Sequence, residues 1–262
     1  MLGCICLRRR APSPEPDEDK TAVAVHRQLS TMTTWTCLET PSARSEDGDS
    51  AALLHVARRR MRLLEEYVCD PHKRFTQGSL TSGGVQLAHL VTAGEPLVAK
   101  GHIFLPGIFD IGRVVEAITE ELPRREWDKE MVHHVPIREV FADERESLNQ
   151  VYSSYKGRFG ILGRDFVWNV YNAWESPSVA FHVTFSNSET ISGFEPSDKF
   201  VRATTWLAGY RIERLAGGLS IDFVNQTDIG GRGVPQWIVQ SVMKRTPDQL
   251  ALLSQYIHAK GL

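Results

Sequence analysis

The sequence predicts an α+β protein in which one antiparallel sheet supports a long amphipathic helix at the C-terminus. Strand-like segments fill most of the chain between residues 75 and 226, and no helical period separates the later ones. Residues 235–262 carry apolar side chains at helical spacing. A helix with one apolar face needs a surface to cover, and a twisted sheet provides one.

The composition sets broad limits on the kind of protein. The chain has 262 residues, of which 42% are hydrophobic and 24% charged, and its formal net charge is -2. A net charge near zero gives no electrostatic reason to expect a nucleic acid partner. No apolar run approaches the ~20 residues of a membrane span. Because Cys4, Cys6, Cys37 and Cys69 show no zinc-ligand spacing, we expect a reducing, cytoplasmic location.

Residues 1–49 are predicted to form a disordered tail. Proline, serine, threonine and acidic residues dominate it, and no apolar period persists. Its first ten residues differ, because Cys4 and Cys6 stand among aliphatic residues just before three arginines at positions 8–10. This pattern is typical of dual S-acylation, which would tether the protein to a membrane surface. An inert tail explains the segment equally well.

The elements of the folded part are predicted in order along the chain. A helix over residues 51–68 has its apolar residues on one side and a basic run on the other, which we interpret as a solvated face. A second helix, over residues 109–122, is expected to end at Pro123. Strands are predicted at residues 75–80, 85–92, 97–105, 131–141, 149–155, 164–174, 179–185, 200–215 and 219–226.

The C-terminal helix is predicted to be interrupted. Pro235 suits the first turn of a helix, where its missing N–H would be unpaired in any case. Ile238 and Val242 belong to the apolar stripe that follows. Thr246 and Pro247 then indicate a second helix start.

Two of the predicted strands carry large aromatic side chains on one face. Phe166 and Trp168 share a face of one strand, and Trp206 and Tyr210 share a face of another. Aromatic linings with a few polar groups are typical of small-molecule cavities. A solid core with an aromatic rim fits the same pattern.

The sequence contains no catalytic motif. His133 and His134 are expected to point to opposite faces of a strand, which makes them a poor metal-binding pair. There is no G-x-S-x-G, no H-E-x-x-H and no phosphate loop. We therefore expect no enzyme activity, no metal and no cofactor.

Four short motifs and the order of the elements carry a resemblance to a known family. The motifs are Arg124-Arg-Glu-Trp-Asp128 after a helix, Gly163-Arg-Asp-Phe-Val167 at the start of a strand, Val201-Arg-Ala203 followed by Gly209, and Asp228-Ile-Gly-Gly-Arg-Gly-Val-Pro235 before the last helix. On these grounds residues 50–262 resemble a START domain, the lipid-transfer module named for the steroidogenic acute regulatory protein.

The resemblance implies a helix-grip fold, in which a curved sheet of about nine antiparallel strands wraps around the C-terminal helix and encloses a tunnel for one lipid. It also implies that this helix is the gate, with Trp237, Ile238 and Val242 toward the membrane-facing end. Burying a lipid tail stabilises the complex by about 0.8 kcal/mol per CH₂. We expect a monomer that meets membrane surfaces peripherally.

The resemblance places Arg124 and Asp128 near the polar head of the lipid, although a buried structural ion pair is the other interpretation. In phosphatidylcholine-transfer members, aromatic rings cage choline by cation–π contacts, and two of those positions correspond to Phe166 and Trp206. The third corresponds to Ser153, so the cage is incomplete.

Trp168 and Tyr210 share strand faces with these aromatic residues, and we count them among the lipid-binding residues. Val170 stands where sterol-binding members tend to carry arginine, which counts against a sterol. The expected ligand is therefore a phospholipid, with ceramide, fatty acid and sterol as alternatives.

Three functional hypotheses follow from these observations. The first is a lipid-binding and lipid-transfer protein held near a membrane by its N-terminus. The second is a lipid sensor or scaffold, in which the bound lipid alters a partner interaction. The third is a cyclase or hydrolase of the wider superfamily, which would need a general acid or base inside the cavity.

Overall fold

The computed structural model describes residues 46–157, 161–187, 191–230 and 235–262. Cys4, Cys6 and the predicted tail up to residue 45 lie outside these ranges, so the acylation hypothesis stays a prediction. No helix in the described part of the chain is both long enough and apolar enough to cross a membrane.

The described chain forms five α-helices, one short 3₁₀-helix and ten strands. They are α1 (Glu46–Cys69), β1 (Thr76–Leu80), β2 (Gln86–Leu90), β3 (Val98–Pro106), α2 (Ile111–Thr119), α3 (Glu121–Trp127), β4 (Met131–Ala142), β5 (Glu146–Tyr155), β6 (Gly163–Ser176), β7 (Val179–Ser186), β8 (Phe200–Arg202), β9 (Thr204–Leu215), β10 (Gly218–Asp228), α4 (Gln236–Arg245), the 3₁₀-helix (Thr246–Asp248) and α5 (Gln249–Lys260).

One sheet contains all ten strands, in the order β1-β2-β3-β10-β9-β7-β6-β5-β4, and β8 pairs with β6 at its side. All neighbours in the main order pair antiparallel. The predicted α+β helix-grip fold, a large antiparallel sheet with a C-terminal helix against it, is confirmed.

The single strand predicted over residues 200–215 is wrong, because the chain changes sheet partners at Ala203. Before this residue, β8 runs parallel to the start of β6, and after it β9 pairs with β7 and β10. The N–H of Ala203 donates to the carbonyl of Asp165 at 3.0 Å, and Arg202 donates to both carboxylate oxygens of Asp165 at 3.1 and 2.9 Å. These bonds hold β8 against β6.

The predicted end of the second helix is also wrong. Asp110 caps α2 by accepting from the N–H of Gly112 at 2.8 Å, and the helix ends at Thr119, four residues before Pro123. Pro123 lies instead in the first turn of α3. A proline is tolerated there because the first N–H groups of a helix have no partner within it.

Helix α1 covers the outer face of the sheet. Its apolar residues pack against β6, β7, β9 and neighbouring strands, and the contact includes Leu54, Ala57, Leu64 and Tyr67. Gly209 lets α1 approach closely, since a Cβ there would meet the carbonyl of His182 at 2.4 Å and Leu64 at 3.1 Å. The guanidinium of Arg58 also pairs with Glu146 on β5.

The inner face of the sheet packs against α2 and α5. The buried apolar residues of α5 are Leu250, Leu253 and Ile257, and they join α2 residues and the inward side chains of β3, β7, β9 and β10 in one cluster. The predicted interruption of the C-terminal helix is confirmed, since the 3₁₀-helix separates α4 from α5.

The break between α4 and α5, at the 3₁₀-helix, packs directly against β3. A Cβ at Gly101 would lie 2.6 Å from Cβ of Pro247 and 3.2 Å from Cδ1 of Leu250. Only glycine therefore allows the break between α4 and α5 to approach the sheet this closely.

We predict that Gly101→Ala lowers the free energy of unfolding by about 1–3 kcal/mol, because the added methyl overpacks a filled contact. Urea unfolding of the variant beside the wild type measures the change. Pro247→Gly removes the opposing Cβ, so it should cost less in the Gly101→Ala background than in the wild type. Additive losses in this double-mutant cycle would show that the two residues are not coupled.

Candidate functional site

A buried ion pair lies where α3 meets the inner face of the sheet. Arg124 and Asp128 are one helical turn apart, and only 6% and 8% of their surfaces are exposed. Their Nε and Oδ2 atoms are 3.7 Å apart, which is an ion pair without a hydrogen bond. The other guanidinium nitrogens donate to the carbonyl of Ile118 at 2.9 Å and to the hydroxyl of Tyr155 at 3.3 Å.

This pair is incompletely satisfied by its surroundings. Burial raises the pKa of Asp128 above its ordinary value, and the nearby positive charge of Arg124 opposes that shift. The Nε of Arg124 and the Oδ2 of Asp128 have no hydrogen-bond partner among the described residues. Buried charged atoms without partners are costly, so this arrangement is suited to a polar group of a ligand.

Three aromatic rings cluster beside the ion pair. The rings of Phe166 and Trp168 lie 4.6 Å apart, and Tyr155 meets Phe166 edge to face at 5.7 Å. The indole N–H of Trp168 donates to the hydroxyl of Thr205 at 3.2 Å. The structure thus brings two of the predicted site residues, Phe166 and Trp168, close to Arg124 through Tyr155.

The other two predicted aromatic residues, Trp206 and Tyr210, have different environments. The register of β9 against β10 shifts between Thr205 and Leu207, and Trp206 lies at this irregularity with 37% of its surface exposed. Tyr210 is 2% exposed, and its ring lies 4.6 Å from that of Phe223 on β10.

Sequence reasoning missed two buried histidines on the inner face. Nε2 of His134 donates to the carbonyl of Thr119 at the end of α2 at 3.1 Å, so its Nδ1 accepts from the hydroxyl of Ser153 at 2.8 Å. His182 lies on β7 with 2% exposure, and its Nδ1 is 2.8 Å from Oδ1 of Asn172. The signal was present for His182 alone, since it shares a strand parity with buried residues of β7, whereas the other residues of the same parity as His134 on β4 are not buried.

Burial keeps both imidazoles neutral at ordinary pH. It lowers the pKa of His134 to about 3 and that of His182 to about 3, and the positive charge of Arg124 acts in the same direction. His133, by contrast, is exposed and bonds to Ser154, so the two adjacent histidines point to opposite faces as predicted. No cluster of metal-ligating side chains occurs in the part of the chain that the structure describes.

A family model described as the START domain matches residues 93–249. This match covers more than half of the chain. The chain belongs to the START domain family. The resemblance drawn from its four motifs is thereby confirmed.

Solved structures support the fold of this START domain. Human StAR-related lipid transfer protein 5 is similar with a TM-score of 0.67 at 18% identity, over 82% of this chain and 99% of that one. Human STARD10 is similar with a TM-score of 0.63 at 15% identity, over 84% and 82% of the two chains. The human StarD13 lipid transfer and protein localization domain gives 0.57 at 16%, over 74% and 94%. A search of curated proteins finds no match to the chain.

Three of the four motifs of this START domain meet at the start of the C-terminal helix. Arg164 donates to the carbonyls of Ile229 at 2.8 Å and Gly230 at 3.2 Å, and so holds the chain just before α4. The neighbouring Asp165 accepts the two bonds from Arg202. The last part of the fourth motif, residues 231–234, lies outside the described residues.

The predicted gate residues lie on α4 of the START domain. Trp237 is 72% exposed and Val242 is 51% exposed, while Ile238 is partly buried. On the opposite side of α4, Met243 is buried and packs with Leu97 and Ala99 in a small cluster.

We predict that the START domain loses stability as the pH falls. An unfolded histidine binds a proton below its ordinary pKa of 6.5, whereas folded His134 and His182 stay neutral until about pH 3. Each histidine should therefore lower the free energy of unfolding by up to about 1.4 kcal/mol for every pH unit below 6.5. Above pH 6.5 it should have no such effect.

Chemical denaturation at pH 7.5, 6, 5 and 4.5 measures the change in the free energy of unfolding. His182→Asn should flatten the pH dependence, because one buried imidazole is gone. His133→Asn, on the exposed side of the same sheet, is the matched control and should leave the slope unchanged. An unchanged slope in His182→Asn would contradict the assignment.

Proposed function

We propose that this START domain binds one lipid between the inner face of the sheet and the C-terminal helix, and carries it between membranes. Two relatives of similar fold are named as StAR-related lipid transfer proteins or domains, which supports this class of ligand. The buried pair of Arg124 and Asp128 carries the proposal, since its unpartnered Nε and Oδ2 atoms require a polar group that the described protein does not supply.

The binding region combines a polar end with apolar surroundings. Arg124 and Tyr155 lie at one side, and the ring cluster of Phe166 and Trp168 adjoins them. We propose that the lipid head contacts the ion pair and that the acyl chains lie along apolar side chains of the inner face. Each buried CH₂ contributes about 0.8 kcal/mol, so two acyl chains suffice for tight retention.

We propose a phospholipid as the leading ligand class, because its phosphate can accept from Arg124 while a donor on the head group faces Asp128, whereas an ionised fatty acid carboxylate only accepts. The aromatic residues argue against a simple choline cage. Phe166 and Trp168 already pack on each other, and Trp206 lies at an exposed irregularity of β9.

We propose that α4 alone is the gate, while α5 is a fixed support. Residues Leu250, Leu253 and Ile257 of α5 are fully buried in the main core cluster. The described side chains of α4 contribute one buried apolar residue, Met243, and two partly buried ones, Ile238 and Val239. Movement about the 3₁₀-helix would therefore expose far less apolar surface than release of the whole C-terminal helix.

The test of the proposed function is native mass spectrometry of the protein purified from a eukaryotic host, followed by transfer of fluorescent lipid between vesicles. We expect one lipid per chain and transfer faster than spontaneous exchange. A protein without lipid that also fails to load from mixed vesicles would refute lipid binding. Loading without transfer would favour the sensor hypothesis.

A double variant tests whether the pair of Arg124 and Asp128 contacts the ligand or only supports the fold. Arg124→Leu together with Asp128→Leu should lower loading of phospholipid roughly tenfold or more while loading of a fatty acid remains, because the double change leaves no unpaired charge. Equal loss of both ligands would assign the pair to the scaffold.

We predict that Trp237→Ala slows vesicle-to-vesicle transfer several-fold without lowering the amount of bound lipid. An exposed tryptophan on the gate can enter the membrane interface, where its amphipathic ring is favoured. Leu252→Ala, a partly exposed apolar residue on α5, is the matched control and should transfer lipid at the wild-type rate. Equal slowing in both variants would contradict a specific role for α4.

A further inference from the structure

A row of polar side chains crosses the inner face of the sheet next to the ion pair. Ser147, Asn172, His182 and Tyr210 lie on β5, β6, β7 and β9, and they are direct partners in the strand register: Ser147 pairs with Asn172, Asn172 with His182, and His182 with Tyr210. All except Ser147 are buried. The row therefore places four polar side chains next to one another on the inner face.

The hydrogen bonds along the row fix the proton of His182. The side-chain amide of Asn172 lies with Nδ2 3.4 Å from the hydroxyl of Ser147 and with Oδ1 2.8 Å from Nδ1 of His182. Because an amide oxygen only accepts, Nδ1 carries the proton and donates. The neutral imidazole then carries a lone pair on Nε2, the ring nitrogen that the bond to Asn172 does not use.

Tyr210 supplies the second polar group at this position. Its ring centroid lies 5.9 Å from that of His182, and its hydroxyl is buried without a hydrogen-bond partner in the described chain. Burial raises the pKa of this hydroxyl well above its ordinary value, so it keeps its proton. An acceptor on His182 and an unpartnered donor on Tyr210 thus lie on paired residues of neighbouring strands.

We infer that His182 and Tyr210 recognise a free hydroxyl group on the lipid. A hydroxyl both donates and accepts, so it can donate to Nε2 of His182 and accept from the hydroxyl of Tyr210. The inference rests on the proposed function and narrows its ligand class to lipids with a hydroxyl at the polar end. Glycerol-headed phospholipids, diacylglycerols and ceramides all carry this chemistry.

Other polar groups fit this position less well. A phosphodiester oxygen only accepts, so it would face the lone pair of Nε2 without a hydrogen between them. An ammonium group could donate to both residues, but burial disfavours a positive charge here, as it does on His182, and the nearby charge of Arg124 acts in the same direction. A choline methyl group cannot form a hydrogen bond with either.

The experiment compares lipids that differ only in this hydroxyl. Vesicles present phosphatidylglycerol or phosphatidylpropanol, dioleoylglycerol or its 3-O-methyl ether, and ceramide or its di-O-methyl derivative, and native mass spectrometry measures the loaded fraction. We expect the hydroxylated member of at least one pair to load about tenfold better than its blocked counterpart, since sites built for a hydroxyl reject analogues that lack it. The pair that shows this preference identifies the source of the hydroxyl.

Variants then tie the preference to the two residues. Tyr210→Phe removes only an unpartnered hydroxyl, and His182→Gln removes the imidazole acceptor; each should reduce the hydroxyl preference several-fold or more while the blocked lipid loads as before. Tyr67→Phe, on the outer face of the sheet, is the matched control and should keep the wild-type preference.

The outcomes separate this inference from the proposed function. Equal loading within every pair, or a preference that both variants retain, would overturn hydroxyl recognition and leave lipid binding intact. Loading of phosphatidylcholine alone would have the same meaning. Failure to load any lipid would overturn the proposed function and this inference together.

Discussion

The contact between α5 and the inner face of the sheet is the constraint on which the rest of the structure depends. Leu250, Leu253 and Ile257 are fully buried there, and each such side chain contributes about 1.5–3 kcal/mol on burial. Because Gly101 has no Cβ, Pro247 can pack against β3 just before these residues. Because these contacts bury α5 in the core, we assign the proposed gating movement to the chain before Pro247. The two halves of one amphipathic pattern therefore have different physical roles.

The inner face near α3 obeys a second constraint, which is electrostatic. Arg124 is buried and its guanidinium is anchored by Ile118 and Tyr155, so its positive charge is fixed in a region of low dielectric. Burial, together with that positive charge, keeps the imidazole of His182 neutral. A neutral imidazole has a lone pair, so His182 can accept a hydrogen bond. The third functional hypothesis asked for a general base inside the fold. His182 has the protonation state for one, but no nucleophile is paired with it among its recorded hydrogen bonds.

Local sequence patterns predicted the helices and strands that depend mainly on residues close together in the chain. Alternation located the main strands, and helical spacing with Thr246 and Pro247 located the break in the last helix. Pro123 was misread because the same residue can end one helix or begin another, and the choice depends on packing that spacing does not reveal. The polar row could not be predicted for a different reason. Its members are spread along the chain from Ser147 to Tyr210, and only strand register brings them together.

The residues of the four motifs and the residues of the polar row on the inner face differ in their contacts, and this difference bears on the proposed choice of ligand. Arg164, Asp165 and Arg202 belong to motifs that signal the family. The bonds of Arg164 hold the backbone before α4, and those between Arg202 and Asp165 hold β8 against β6. His182 and Tyr210 belong to no motif, yet they are buried neutral polar residues of the inner face, and the hydroxyl of Tyr210 has no hydrogen-bond partner among the described residues. A shared fold hosts different ligands when the scaffold is kept and the lining changes. In this chain short local motifs hold the scaffold, whereas the side chains to which we assign ligand choice are brought together by the sheet register.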